Sequence, residues 1–210
     1  PRVKVNQDDL ELLYDELLDA LGDETWASFI VAFRIAGQST SAAAALTGGQ
    51  TQSGGENNSD GQAQSGGAWT SELLEQFDLT GGGGTSLTQV LDLVNATVTV
   101  GQGDDARSFT SPFAGDPISM SLYMPTLMDA LTSQDVDLMP GRINLNECPA
   151  ELLYGIPLLS EETVQTILES REQESDDPNR QYETWPLVEG ILTLDEMRLL
   201  LPLVTGGGDV

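Results

Sequence analysis

Residues 142–171, RINLNECPAELLYGIPLLSEETVQTILESR, decide how the rest of the chain is read. The stretch opens on short apolar–polar alternation, Ile143-Asn144-Leu145-Asn146. Asn146 has the chemistry of an N-cap, since its side-chain oxygen can accept from the free N–H groups of a first helical turn. Glu147 then sits at the positive end of the helix dipole, and Pro149 falls where a missing N–H costs little. A short helix follows with Leu152 and Leu153 inward, and Gly155 and Pro157 end it. Ser160 caps a second helix, on which Val164, Ile167 and Leu168 share one stripe and Arg171 closes the unit. Helix, tight turn and helix with leucines facing inward is the layout of a helix-hairpin-helix.

A second copy stands at the start of the chain. One constant offset relates Val3-Lys4-Val5-Asn6 to Ile143–Asn146 and Leu12-Leu13-Tyr14 to Leu152-Leu153-Tyr154. Asn6 is again the expected N-cap, with Asp8 and Asp9 in the first turn. After Leu21-Gly22 a second helix carries Trp26, Phe29, Ile30 and Phe33 on one side and Arg34 near its end. The match slips there by most of a turn, so the repeat is loose.

Outward from these two copies the chain divides by composition. Residues 1–38 form the first helix pair and 39–67 a Gly/Ser/Gln-rich flexible loop, with too little apolar surface to offset its ordering entropy. Residues 68–140 hold short helices and a β-hairpin. Leu73, Leu74 and Phe77 fit one helix, broken by Gly81–Gly84, and Ser86-Leu-Thr-Gln89 has the form of a capping box for the next. The alternating, β-branched Ala96–Val100 and Arg107–Thr110 across a Gly-Asp turn read as the hairpin near 96–110. Asp116-Pro117 opens a helix that is expected to break near Pro125 and resume to Leu131. Residues 141–205 form the second helix-pair subdomain, where Thr193-Leu-Asp-Glu196 is a capping box and Met197, Leu200 and Leu201 are an inner stripe. Tyr154, Tyr182 and Trp185 read as core, and 206–210 as a tail. The fold class is mainly α, within α+β.

Charge narrows the function. Acidic side chains number 34 against 8 basic ones, a formal net charge of -26. Such a surface repels phosphate backbones and anionic headgroups. Histidine is absent, removing the usual general base, and Cys148 stands alone, so it has no disulfide partner and leaves the redox compartment open. Adjacent Glu161-Glu162 point apart on a helix and serve its dipole. No apolar run approaches the ~20 residues that span a bilayer. A start at Pro1 and a stop at Gly-Gly-Gly-Asp-Val read as a piece of a longer protein. Glu172, Glu174, Asp176 and Asp177, with Asn179, are oxygen ligands of the kind calcium takes; their spacing is not that of an EF-hand, and a solvated acidic loop is the other reading. At the central hairpin, Gly155-Ile156-Pro157-Leu158-Leu159-Ser160 lacks the small residues and N–H groups that hold a phosphate, and Glu161-Glu162 follow at once. Nucleic acid is therefore not an expected partner.

Arg142–Asn146, Pro149–Leu153, Ile156-Pro157, Ser160-Glu-Glu and Arg171, with Trp185 through Leu201-Pro-Leu-Val-Thr205, resemble bacterial type II secretion system protein K. That resemblance implies a minor pseudopilin with a large helical insert of two helix-hairpin-helix (SAM-like) subdomains. It implies no enzymatic activity and a place at the tip of the pseudopilus with the I- and J-type pseudopilins. The location would be the periplasmic side of the inner membrane, with an anchoring N-terminal helix missing from this sequence. The closing pilin strands are missing too, and 39–67 and 96–110 are local variations. Some family members bind calcium, but no ligand can be carried over. The competing reading is an acidic helix-hairpin-helix scaffold for protein contacts, unrelated to secretion.

Overall fold

Gly22 sets the turn on which the first helix pair closes. It takes φ +65, a left-handed conformation that favours glycine, and its N–H donates to the Leu18 carbonyl. In this computed structural model, which describes residues 2–38, 64–134, 141–173 and 176–207, strand β1 (Val3–Lys4) leads to helix α1 (Leu10–Leu21). Asp23 then caps helix α2 (Glu24–Ala36) by accepting from the Trp26 N–H. Helix α1 buries one stripe, Leu10, Leu13 and Leu17. Helix α2 buries every residue from Ala27 to Arg34, so it is the central helix of its unit. Its Phe29 ring meets Phe33, Trp69 and Phe113 at centroid distances of 6.4, 5.6 and 6.1 Å.

The chain is α+β, with short helices and small sheets. It falls into two compact units. The first comprises residues 3–88 and 92–113; the second comprises 1–2, 89–91 and 114–210, so the segment 68–140 is shared between them.

In the first unit the hairpin read from the sequence is present. Strands β3 (Thr97–Val100) and β4 (Arg107–Thr110) pair antiparallel, with Thr97 opposite Thr110 and Val100 opposite Arg107. Val98 and Val100 fill the inner face. A third strand, β2 (Gln64–Ala68), lies parallel to β4 with a register shift between Ser65 and Gly67. Its first four residues correct the flexible loop expected over 39–67; the rest of that stretch, 39–63, lies outside the described residues. Gly66 explains how so polar a segment packs, because a Cβ there would fall 2.6 Å from the Phe109 ring. The helix expected around Leu73–Phe77 is a 3-10 turn, Ser71–Gln76. The capping box expected at Ser86–Gln89 does not form either: the Thr88 N–H donates to Asp92, and Gln89 Nε2 to the Arg198 carbonyl.

The second unit begins with helix α3 (Pro117–Ala130), capped by Asp116, which accepts from the Ser119 N–H. The expected break at Pro125 does not occur. Proline removes the N–H that would have bonded the Ser121 carbonyl, and the buried Asn179 amide donates to that carbonyl instead, at 3.3 Å. After strand β5 (Leu131–Thr132), strand β6 (Ile143–Asn144) runs parallel to strand β7 (Val204–Thr205). Between them lie helices α4 (Ala150–Tyr154), α5 (Glu161–Arg171), α6 (Trp185–Val188) and α7 (Leu194–Leu200). Ser160 caps α5, and Thr193 with Glu196 forms the reciprocal box on α7, both as the sequence indicates. Gly206 is not tail. It is buried, and a Cβ there would lie 2.3 Å from the Tyr182 backbone.

Candidate functional site

The two helix pairs are built to one plan, which becomes visible residue by residue. Leu13 and Leu153 are both fully buried, as expected. Their neighbours Leu12 and Leu152 are exposed, at 47% and 49%, which corrects the inward placement of Leu152. Adjacent helical side chains point in different directions, so a helix packed along a single stripe buries only one of the two. Tyr154 is likewise 48% exposed rather than core, whereas Tyr182 and Trp185 are buried. The Tyr14 hydroxyl donates to Glu24 Oε1 at 3.4 Å and the Tyr154 hydroxyl to Gln165 Oε1 at 3.3 Å, so each tyrosine ties the first helix of its pair to the second.

Neither asparagine is an N-cap. Asp9 caps α1, and α4 starts after Pro149 with no side-chain cap. Asn6 instead clamps the Leu87 backbone, donating to its carbonyl at 2.9 Å and accepting from its N–H at 2.8 Å. Asn146 donates to the carbonyls of Arg180 and Gly206 at 2.9 and 2.7 Å. Both side chains bind distant backbone in place of the helix start, a choice that local spacing does not reveal.

The arginine that ends each second helix reaches back to the segment before the first. Arg34 is buried and donates to the carbonyls of Gln7 (3.0 Å) and Thr85. Burial lowers its pKa, partly opposed by Asp8. Gly83 makes room for the guanidinium, since a Cβ there would fall 2.4 Å from Nη2. Arg171 donates to the Cys148 carbonyl at 2.8 Å. Burial pushes the Cys148 thiol up, and Arg171 pulls the other way. Arg142 and Arg198 donate to the carbonyls of Leu201 and Leu91, at 3.3 and 3.1 Å. Arg180 donates to the Ser170 carbonyl, pairs with Glu189 through two nitrogens, and lies 4.9 Å from the centre of the Trp185 ring. Five of the eight basic side chains are thus engaged by backbone carbonyls.

Among the described residues the calcium candidates Glu172, Asp176 and Asp177 are not grouped as a metal site. Glu172 follows α5 and Asp176 is exposed, while Glu174 lies outside the described residues. Asp177 caps the 3-10 turn Pro178–Gln181, accepting from the Asn179 N–H and side-chain amide at 2.9 and 2.8 Å. Among the described residues no three acidic or sulfur ligands are grouped to hold a metal ion.

One concavity of the first unit was not legible in the sequence. It encloses about 340 Å³ beside α1, α2 and the 71–76 turn. Tyr14, Phe77 and Leu79 supply its apolar wall, and Glu24, Glu72 and Glu75 its carboxylates. The chain brings these together from three separated segments, and only the Glu72–Glu75 spacing could have hinted at a shared side. Comparison with protein-family models, with curated proteins and with solved structures returns no match.

Proposed function

We propose that this chain works by protein contact and not by catalysis, as the helical insert of a tip-capping minor pseudopilin of the type II secretion kind. In this reading the two helix pairs are helix-hairpin-helix (SAM-like) subdomains. The parent acts on the periplasmic side of the inner membrane in protein export, with the I- and J-type pseudopilins as partners. The observation that carries the contact reading is the inward use of the cations. A helix-hairpin-helix that binds nucleic acid presents hairpin N–H groups and nearby Lys or Arg to phosphate. Here Arg171 spends its donors on Cys148, Pro157 offers no N–H, and Leu158 and Glu161 face solvent at the turn. What such a surface can still do is meet another protein.

The mechanical role follows from bulk. A broad insert on one side of a pilin-like stem blocks addition of a subunit above it, which suits a filament end. Among the described residues no helix is long and apolar enough to cross a membrane. The test is to mix purified soluble forms and measure mass in solution. The full-length soluble parent is expected to join the other two minor pseudopilins stoichiometrically, and this chain alone to bind them weakly or not at all. Recruitment of both partners by this chain alone would overturn the division of labour; recruitment of neither by the parent would overturn the family reading. Salt-sensitive, saturable binding of duplex DNA would overturn the contact reading itself.

A further inference from the structure

Apart from the Tyr14–Glu24 tie, the groove of the first unit lies outside the helix-pair plan, and its chemistry points to an occupant. Its wall is apolar where Phe77, Leu79 and the Tyr14 ring line it, and all three side chains are partly open to solvent. Its carboxylates are Glu24 from α2 and Glu72 and Glu75 from the following turn, and each is exposed. Among the described residues none of the three forms an ion pair, whereas Glu183, Glu189 and Asp195 of the second unit each hold an arginine. The Tyr14 hydroxyl bond to Glu24 fixes one carboxylate beside the aromatic wall.

We propose that this groove binds a basic amphipathic segment of a partner polypeptide, one Lys or Arg laying its aliphatic stem on Phe77 and Leu79 and its charged head among Glu24, Glu72 and Glu75. Each alternative class of ligand fails on one of these features. An anion meets three carboxylates on a chain of net charge -26. A bare metal ion gains nothing from a wall of phenyl and leucine side chains, and an uncharged apolar ligand leaves the carboxylates desolvated without partners. A long cationic side chain satisfies both halves, since Lys and Arg bury their stems while keeping the charge at a polar rim, and a guanidinium also stacks on an aromatic face. The volume of about 340 Å³ lies at the small end of ligand clefts, which suits one or two side chains and not a folded domain. The charge of the whole surface would steer such a segment in and make its arrival salt-dependent. This inference stands without the pseudopilin reading, and its test does not depend on secretion.

The experiment titrates the isotope-labelled chain with a short lysine–leucine peptide, with oligolysine of equal length, and with the matching glutamate–leucine peptide, following backbone amide shifts. Shifts from the lysine–leucine peptide are expected to concentrate at residues 71–79 and around Tyr14 and Glu24. The joint change Glu72→Gln and Glu75→Gln should weaken that peptide about tenfold, as expected for losing charged contacts at a binding rim. Neutralising Glu161 and Glu162 in the second unit should leave it unchanged. Leu79→Ser should weaken the lysine–leucine peptide and spare oligolysine. Shifts spread over the acidic surface, equal affinity for oligolysine, equal effects of the two glutamate pairs, or no shifts at all would each overturn the proposal.

Discussion

Asn179 and Pro125 should be energetically coupled although they stand far apart in the chain, and the size of that coupling can be worked out. Asn179 is 2% exposed and its amide nitrogen makes two bonds, to the Ser121 carbonyl at 3.3 Å and to Asp177 Oδ1 at 2.8 Å. Asn179→Ala removes both. A neutral hydrogen bond is worth about 1 kcal/mol net, and one to a charged group about 1.5–3 kcal/mol. The variant should therefore lose about 2.5–4 kcal/mol from the two bonds, before the small void left behind is counted. In a Pro125→Ala background the new N–H of residue 125 bonds the Ser121 carbonyl within α3, so only the Asp177 share and the void remain. The same Asn179→Ala change should then cost about 1 kcal/mol less. Urea titration with pulsed hydrogen exchange on the peptide covering 117–130 reports the second unit alone and completes the cycle. Pro125→Ala should itself be stabilising, since an interior proline costs a helix about 3 kcal/mol. If the two changes add to within about 0.3–0.5 kcal/mol, the Asn179 amide is not substituting for the missing helical bond.

Three further expectations can be checked separately. Arg34→Met keeps the stem but strands the carbonyls of Gln7 and Thr85, and should cost about 3 kcal/mol; Gly83→Ala should destabilise the same unit by intruding on the guanidinium, and normal exchange protection of residues 24–36 in either variant would contradict this. Burial and a hydrogen bond to Asp129 push Tyr182 up to about 12, so the folded state keeps this proton where the unfolded chain has lost it. The stabilisation is complete below the ordinary tyrosine pKa of about 10 and declines as pH rises to about 12; Tyr182→Phe should lack that share of the alkaline decline, and an identical decline in both proteins would refute it. If the 172–179 loop takes calcium, millimolar Ca²⁺ should raise the unfolding midpoint and Asp176→Asn, which leaves the Asp177 cap intact, should abolish the rise; thermal scans identical with Ca²⁺ and with chelator leave a solvated loop.

What could be read from sequence was whatever a residue decides with its near neighbours. The caps at Asp116, Ser160 and Thr193, the β3–β4 hairpin and the buried Leu13 and Leu153 follow from spacing over a few positions. What escaped depends on partners far along the chain. Gln64–Ala68 has no strand composition of its own and is ordered by β4 and by the Phe109 ring over Gly66. Pro125 breaks a helix only where nothing replaces its donor, and Asn179 replaces it. Asn6 and Asn146 look like caps because asparagine caps helices well, yet each is drawn to distant backbone groups that would otherwise lack partners. The groove escaped for the same reason, its walls coming from α1, α2 and the turn after β2.

The arginines carry this one step further. Short helices and two-residue strands satisfy few backbone carbonyls internally, and several carbonyls outside them are met by arginine side chains. A guanidinium offers five donors on a long stem, so one arginine can serve several such carbonyls at once and still need no acidic partner. Arg34 bridges Gln7 and Thr85 in this way, and Arg171 reaches the carbonyls of Leu145 and Cys148. Arg34 is buried in this role, whereas Arg142, Arg180 and Arg198 also each pair with a carboxylate, Glu183, Glu189 and Asp195. With 34 acidic side chains against 8 basic ones, the excess negative charge remains wherever the arginines bond. A partner that brings positive charge meets this excess favourably, as the basic segment proposed for the groove would. Association of a basic segment should accordingly weaken as salt rises, and a face rich in Asp or Glu meets Coulombic repulsion here.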